Sequence, residues 1–176
     1  MGICRYHTPL SFSCELGFLS LLDLARLACV SRSTKKITQQ TPRLLWDDAM
    51  RGHTSAAAFE NLLDERAERL LVLRLHRCED LPTEAFQRLQ ACVGLCELVL
   101  TEAAALHDRL FARTIVSNLR RLTKLDLSNS AIGYESLVAI AQNCSDLASL
   151  NVSGCLAITM VPAQFGKLER LDVSET

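Results

Sequence analysis

Apolar positions recur along this chain with one spacing: apolar-x-x-apolar-x-apolar, then a small residue, then one more aliphatic position. The first copy is Leu70, Leu73, Leu75, Cys78 and Leu81, and the second is Leu95, Leu98, Leu100, Ala103 and Leu106. Leu122, Leu125, Leu127 and Ser130 follow, with Ile132 one place early, and then Leu147, Leu150, Val152, Cys155 and Ile158. A fifth copy, Leu168, Leu171 and Val173, runs to Thr176. Successive starts lie 25, 27, 25 and 21 residues apart. The pairs Leu73/Leu75, Leu98/Leu100, Leu125/Leu127 and Leu150/Val152 alternate with period two and predict short strands. Helical spacing separates them. Thr83, expected to cap after Pro82, leads Phe86, Leu89 and Cys92; Asp108 to Leu119 carries Leu110, Phe111 and Ile115; Tyr134 to Cys144 carries Leu137, Ile140 and Ala141. One copy cannot enclose a core, but stacked copies can, and each leucine they bury contributes roughly 1.5–3 kcal/mol.

Residues before Leu70 follow a different pattern. Leu19 to Thr34 reads as a leucine-rich helix with Asp23 as N-cap. Thr38 to Pro42 breaks it, Leu44 to Met50 reads as a short helix carrying Trp46, and Ser55 to Leu70 as another, with Phe59, Leu62, Leu63 and Ala67 on one face. The expected division is a helical module at 8–50, a linking or capping helix at 51–69, and about four and a half repeats at 70–176, the last incomplete. A module of that size is small for independent stability. Ser55–Ala67 is the expected cap over the first repeat, whose leucines would otherwise be exposed.

Composition narrows the class. Of 176 residues, 49% are hydrophobic and 22% charged, the balance of a folded protein rather than a disordered one. The net charge of −1, with signs interspersed, offers no basic stripe for nucleic acid. Eight cysteines are present. Cys78 and Cys155 occupy equivalent places in their repeats, as do Cys92 and Cys144, so they are expected to pack as small apolar side chains in a reducing compartment, cytoplasmic and/or nuclear. Cys92 and Cys96 lack a second pair, and no metal is expected. Leu16 to Val30 contains Asp23 and Arg26 and is too short to span a bilayer. Met1-Gly2-Ile3-Cys4 leaves acylation as a separate membrane-tethered alternative, although Tyr6 stands where that pattern wants Ser or Thr. His7, His53, His76 and His107 have no nucleophile or metal-ligand spacing, and no phosphate-binding or hydrolase motif occurs, so neither a cofactor nor catalysis is expected.

The repeats resemble the cysteine-containing class of leucine-rich repeats. Cys92-x-x-Leu95 and Cys144-x-x-Leu147 match its helix-ending cysteine, and Cys78 and Cys155 match the cysteine after the strand; Ala103 and Ser130 depart from it but remain small. Phe18 to Arg32 is similar to the central stretch of an F-box, and Pro42-Arg43-Leu44-Leu45-Trp46 resembles its end. Thr8 to Cys14 departs from the usual Leu-Pro opening, and Thr34 stands where a tryptophan is usual. The implied fold is α/β, a leucine-rich-repeat solenoid with parallel strands inside and helices outside, preceded by a small α-helical F-box-like module. The implied function is non-catalytic: a substrate-recognition subunit of an SCF-type E3 ubiquitin ligase. Pro9, Leu19, Leu21, Leu22, Leu24, Leu27, Val30 and Trp46 would meet a Skp-family adaptor. The alternative is a leucine-rich-repeat interaction scaffold with no ligase role, in which the same apolar residues only cap the core.

The residues between the strand leucines are expected on a concave face that holds a protein target. They are Arg74 and His76; Glu97, Val99 and Thr101; Lys124, Asp126 and Ser128; Asn151 and Ser153; and Arg170 and Asp172. Asp126/Ser128, Asn151/Ser153 and Asp172/Ser174 form polar ladders, which suit a polar peptide or basic side chain, or else only solvate the strand face. The last strand is expected to present an open edge.

Overall fold

A computed structural model of the chain describes residues 43–46, 63 and 67–176. Its strands are β1 (Arg43–Trp46), β2 (Val72–Leu75), β3 (Glu97–Leu100), β4 (Lys124–Asp126), β5 (Ser149–Asn151) and β6 (Arg170–Asp172). They form one all-parallel sheet whose strand order follows the chain. Helical segments connect β2 through β5, and the class is α/β. Leu44, Leu73, Leu98, Leu125, Leu150 and Leu171 stand opposite one another in successive strands. The sequence repeat is therefore the physical register, and a slip of one residue would turn the leucines of β2 to β5 out of the core.

The core lies on one side of the sheet. Leu73, Leu75, Leu98, Leu100, Leu125, Leu127, Leu150 and Val152 are all buried there, with Phe86 and Phe111 the largest enclosed side chains. Leu63 and Ala67 join the same core. The rest of the expected capping helix lies outside the described residues, apart from a 3₁₀ turn at Ala67–Arg69. No helix among the described residues is long and apolar enough to cross a membrane.

Two expectations require correction. Arg43–Trp46 is not the start of a helix but a strand paired with β2. Its apolar residues Leu44 and Trp46 stand two apart, and the ladder of β2 offers four residues of pairing that an isolated short helix cannot match. Thr83 is not an N-cap: Pro82 holds that position, and the Thr83 hydroxyl donates to the Ala105 carbonyl at 3.4 Å.

The helical segments differ in regularity. The helix α1 (Thr83–Gln87) tightens to 3₁₀ over Arg88–Ala91. The helix α2 (Asp108–Leu110) widens into a π turn over Phe111–Ile115 and then tightens over Val116–Asn118. Three consecutive β-branched residues, Thr114, Ile115 and Val116, stand where the π turn passes into the 3₁₀ turn. The helix α3 (Tyr134–Asn143) stays regular throughout.

One turn is repeated after every strand from β2 to β6. Arg77, Glu102, Asn129, Gly154 and Glu175 all have left-handed backbone, with φ between 55° and 69°. Each stands two residues past the last apolar strand position. Only Gly154 adopts that geometry free of the Cβ penalty, and a Cβ there would press on the Asn129 side chain.

Candidate protein-binding face

The strands turn their second set of side chains away from the core, and this face collects the residues expected at a binding surface. Register places them in rows. Glu97, Lys124, Ser149 and Arg170 share one row; Arg74, Val99, Asp126, Asn151 and Asp172 share the next. Pro9, Leu19, Leu21, Leu22, Leu24, Leu27 and Val30 lie outside the described residues, and Trp46 is in β1.

An ionic cluster spans β2 to β4. Arg74 grips Glu97 with two parallel bonds, Nε to Oε1 at 2.9 Å and Nη2 to Oε2 at 3.0 Å, and Lys124 Nζ reaches Oε1 at 3.0 Å. The Glu97 side chain is 16% exposed, whereas Arg74 and Lys124 are about half in solvent, at 42% and 49%. Partial burial raises the Glu97 pKa, but the bonds and charges of Arg74 and Lys124 outweigh it and hold the carboxyl below its usual range. Arg74 is pushed up in turn, chiefly by its hydrogen bond to Glu97. A surface pair ordinarily contributes about 0.2–1 kcal/mol, and bidentate geometry places this one toward the upper end. Two cations share one anion, so the cluster keeps a net positive charge.

Val99 departs from expectation. It is only 4% exposed, although it stands on the face away from the core and outside the core cluster. Its register neighbours are Arg74 and Asp126. It is thus an apolar floor between charged residues rather than an open contact. Ser128 is likewise covered, at 9% exposure.

The polar ladders prove to be strand terminators. Asp126 Oδ1 accepts the Ser128 backbone N–H at 3.0 Å and its hydroxyl at 2.8 Å, while Oδ2 accepts Asn151 Nδ2 at 3.1 Å. Asn151 Oδ1 accepts the Ser153 N–H at 3.0 Å. Asp172 Oδ1 accepts the N–H and hydroxyl of Ser174, and these bonds lower its pKa. Each side chain closes an Asx turn onto the residue two ahead. The acceptors of Asp126 are thereby largely engaged within the chain. Among the described residues, the half-exposed Arg74 and Lys124 and the exposed Arg170 are the groups most open to a ligand on this face. Thr101 Oγ1 accepts the Arg77 N–H at 3.2 Å and lies 3.5 Å from His76 Nδ1.

The buried cysteines serve packing. Cys78, Cys92, Cys144 and Cys155 are buried free thiols. Burial pushes the Cys78 thiol up to about 12, with help from Glu79 and Glu102, and burial alone does the same at Cys144. At neutral pH Cys78 and Cys144 are therefore protonated, poor nucleophiles and poor metal ligands. Cys155 Sγ uses its proton on the Leu127 carbonyl at 3.1 Å and Cys144 Sγ on that of Leu119 at 3.5 Å, each bridging to the preceding repeat. No group of three or more His, Cys, Asp or Glu side chains with metal-binding geometry occurs among the described residues.

Sequence reasoning missed Asp108. Its Oδ1 accepts the backbone N–H groups of Gly133 and Ser136, at 2.9 and 2.8 Å, and Oδ2 accepts that of Glu135 at 3.2 Å. The N-cap position of α3 is Gly133, which has no side chain, and the neighbouring repeat supplies the cap. The only sequence signal was an acid and a helix-starting glycine separated by one repeat length. No family model matches the chain, and no curated protein sequence matches it.

Proposed function

We propose that this chain is a leucine-rich-repeat solenoid that recognises a protein target, serving as the non-catalytic substrate subunit of an SCF-type ubiquitin ligase. The observation that carries the recognition half is the row of side chains facing away from the core across in-register parallel strands, with two half-exposed cations, Arg74 and Lys124, sharing Glu97. A stack of short parallel strands makes a surface that is broad, rigid and built from independent positions, which suits a protein partner. The ligase half rests on the F-box resemblance of Phe18 to Arg32 and Pro42 to Trp46. Such a subunit works by tethering: it raises the local concentration of target beside a partner enzyme that performs the transfer.

A second reading, an interaction scaffold with no ligase link, is favoured by one observation. The end of the F-box-like segment, Arg43–Trp46, belongs to the sheet as β1. On this reading the N-terminal segment completes the stack instead of engaging an adaptor.

Co-purification with a Skp-family adaptor separates the two. The native chain is compared with Leu24→Asp, and Trp46 is left unchanged because it lies in β1. Adaptor retained by the native chain and lost by a folded Leu24→Asp variant supports the ligase reading. A folded native chain that retains none leaves the scaffold. Charge reversal at Arg74 or Lys124 is expected to weaken target capture without unfolding; unchanged capture in both would move the target off this face. Asp126 is a poor probe because its carboxylate also closes the β4 turn.

A further inference from the structure

Arg74 and Lys124 hold two positive charges on one carboxylate. Arg74 Nε and Lys124 Nζ bond the same Glu97 oxygen, at 2.9 and 3.0 Å, so the two nitrogens stand no more than about 6 Å apart. Like charges at that separation repel, and Glu97 offsets only one of them. Donors also remain. A guanidinium has more N–H groups than the two bonds from Arg74 to Glu97 use, and the Lys124 ammonium commits only one of its own. Among the described residues neither cation has a second acidic partner. Both are nearly half exposed, whereas the Glu97 side chain is 16% exposed. Val99, the register neighbour of Arg74, is almost fully covered and gives a ligand little to pack on. Recognition at this point is therefore electrostatic.

We infer that this cluster receives the side-chain carboxylate of an Asp or Glu on the target; the inference rests on the proposed reading of this face as the target-binding surface. A second carboxylate between the cations completes an alternating set of two cations and two anions, in which each charge has opposite neighbours. The charge count favours a carboxylate over a phosphoryl group. Two cations and one anion leave a net charge of +1. One carboxylate cancels it, whereas a phosphoryl group, at about −1.5 to −2, exceeds it. Asp126 follows on the same face two residues after Lys124, and its side chain bonds to Ser128 and Asn151, neither of them a cation. Its uncompensated charge opposes a dianion more than a monoanion. The segment recognised is thus acidic and read without phosphorylation.

The probe is a displayed library of random peptides, tethered at both ends so that no free terminus competes, selected on the full chain at low salt. The native chain is expected to enrich Asp and Glu over Lys and Arg relative to the unselected library. The double variant Arg74→Gln with Lys124→Gln is expected to lose that enrichment while remaining folded, since both side chains are nearly half exposed. In a peptide that the native chain selects, replacing the acid by its amide is expected to weaken binding about tenfold, and phosphoserine in its place to bind no more tightly. Peptides selected without acidic enrichment overturn the inference and leave target recognition by this face standing. A chain that selects no peptide overturns it as well, and adaptor co-purification then decides the ligase reading separately. Acidic enrichment that survives in the double variant, or tighter binding of the phosphoserine peptide, also overturns it. So does carbodiimide coupling, in the native chain alone, of Lys124 to any carboxylate of its own chain besides Glu97, since the cations would then serve an internal acid.

Discussion

The Asp108 carboxylate caps Ser136 one repeat away, accepting its backbone N–H at 2.8 Å. The helix α3 begins on a glycine, and the first N–H groups of a helix have no partner within it. A carboxylate there satisfies the donors and meets the positive end of the helix dipole. The Ser136 hydroxyl also donates to the Asp108 main-chain carbonyl at 3.2 Å, so Ser136 ties the two repeats by two bonds. Asp108→Ala is expected to cost about 1–2 kcal/mol in urea unfolding. Asp108→Asn keeps an acceptor oxygen and is expected to cost clearly less. Equal losses for the two would show that the negative charge or the second acceptor oxygen, which asparagine lacks, carries the effect rather than the shape of the side chain.

Position in the stack decides what a leucine contributes. Leu125 and Leu171 hold the same place in their repeats, but Leu125 is 1% exposed and Leu171 43%. Leu125→Ala leaves an enclosed cavity and is expected to cost about 2–5 kcal/mol. Leu171→Ala removes a half-solvated side chain and is expected to cost less than about 1 kcal/mol. Thermal melts of both variants check the register: a small loss at Leu125 would mean that the strand faces are assigned the wrong way round.

The parallel sheet and its register were legible because burial imposes the leucine spacing directly. The strand β1 is less legible: Leu44 precedes Leu73 by 29 residues, close to the chain's own repeat length, but Leu44 and Trp46 fit a short helix equally well, and spacing alone does not decide between the two. On the candidate face, alternation correctly separated Arg74, Glu97, Lys124 and Asp126 from the core. It did not reveal that Val99 is covered, since that depends on its neighbours in the adjacent strands. Nor did it reveal that Asp126 is engaged by Ser128 and Asn151. Asp108 capping α3 is a contact between repeats, which no local spacing encodes.

Ser130 takes the place that Cys78 and Cys155 hold in their repeats, and a hydrogen-bond donor facing the preceding repeat explains why either side chain suits it. The Ser130 hydroxyl donates to the Leu100 carbonyl at 3.2 Å and accepts the Ala103 N–H at 3.3 Å; Cys155 Sγ donates to the Leu127 carbonyl in the same way. Ser130→Ala leaves a buried carbonyl and N–H short of a partner and is expected to cost about 1–3 kcal/mol. Ser130→Cys is expected to recover most of that in chemical denaturation, as a weaker donor in the same direction. A cysteine variant no better than alanine would leave volume as the reason for the residue choice.

Glu97 makes the stability of β2–β4 depend on pH, and the sign follows from its partners. Arg74 and Lys124 overcome the effect of partial burial and hold the folded carboxyl below its usual range. In the unfolded chain the group titrates near its ordinary value of about 4.3. A depressed carboxyl adds stability that is fully present above that unfolded value and is lost as pH falls through the folded one. Glu97→Gln removes the titrating group but keeps an acceptor oxygen. The native chain is therefore expected to lose more stability than this variant between about pH 5 and pH 3, with the two curves parallel above that window. Added salt weakens the exposed Lys124 arm more than the bidentate Arg74 arm, so the difference should shrink in high salt but not vanish. Parallel curves through the whole acid range would mean that Glu97 is not held by these cations in solution, and would remove the charge asymmetry on which the Arg74–Lys124 face depends.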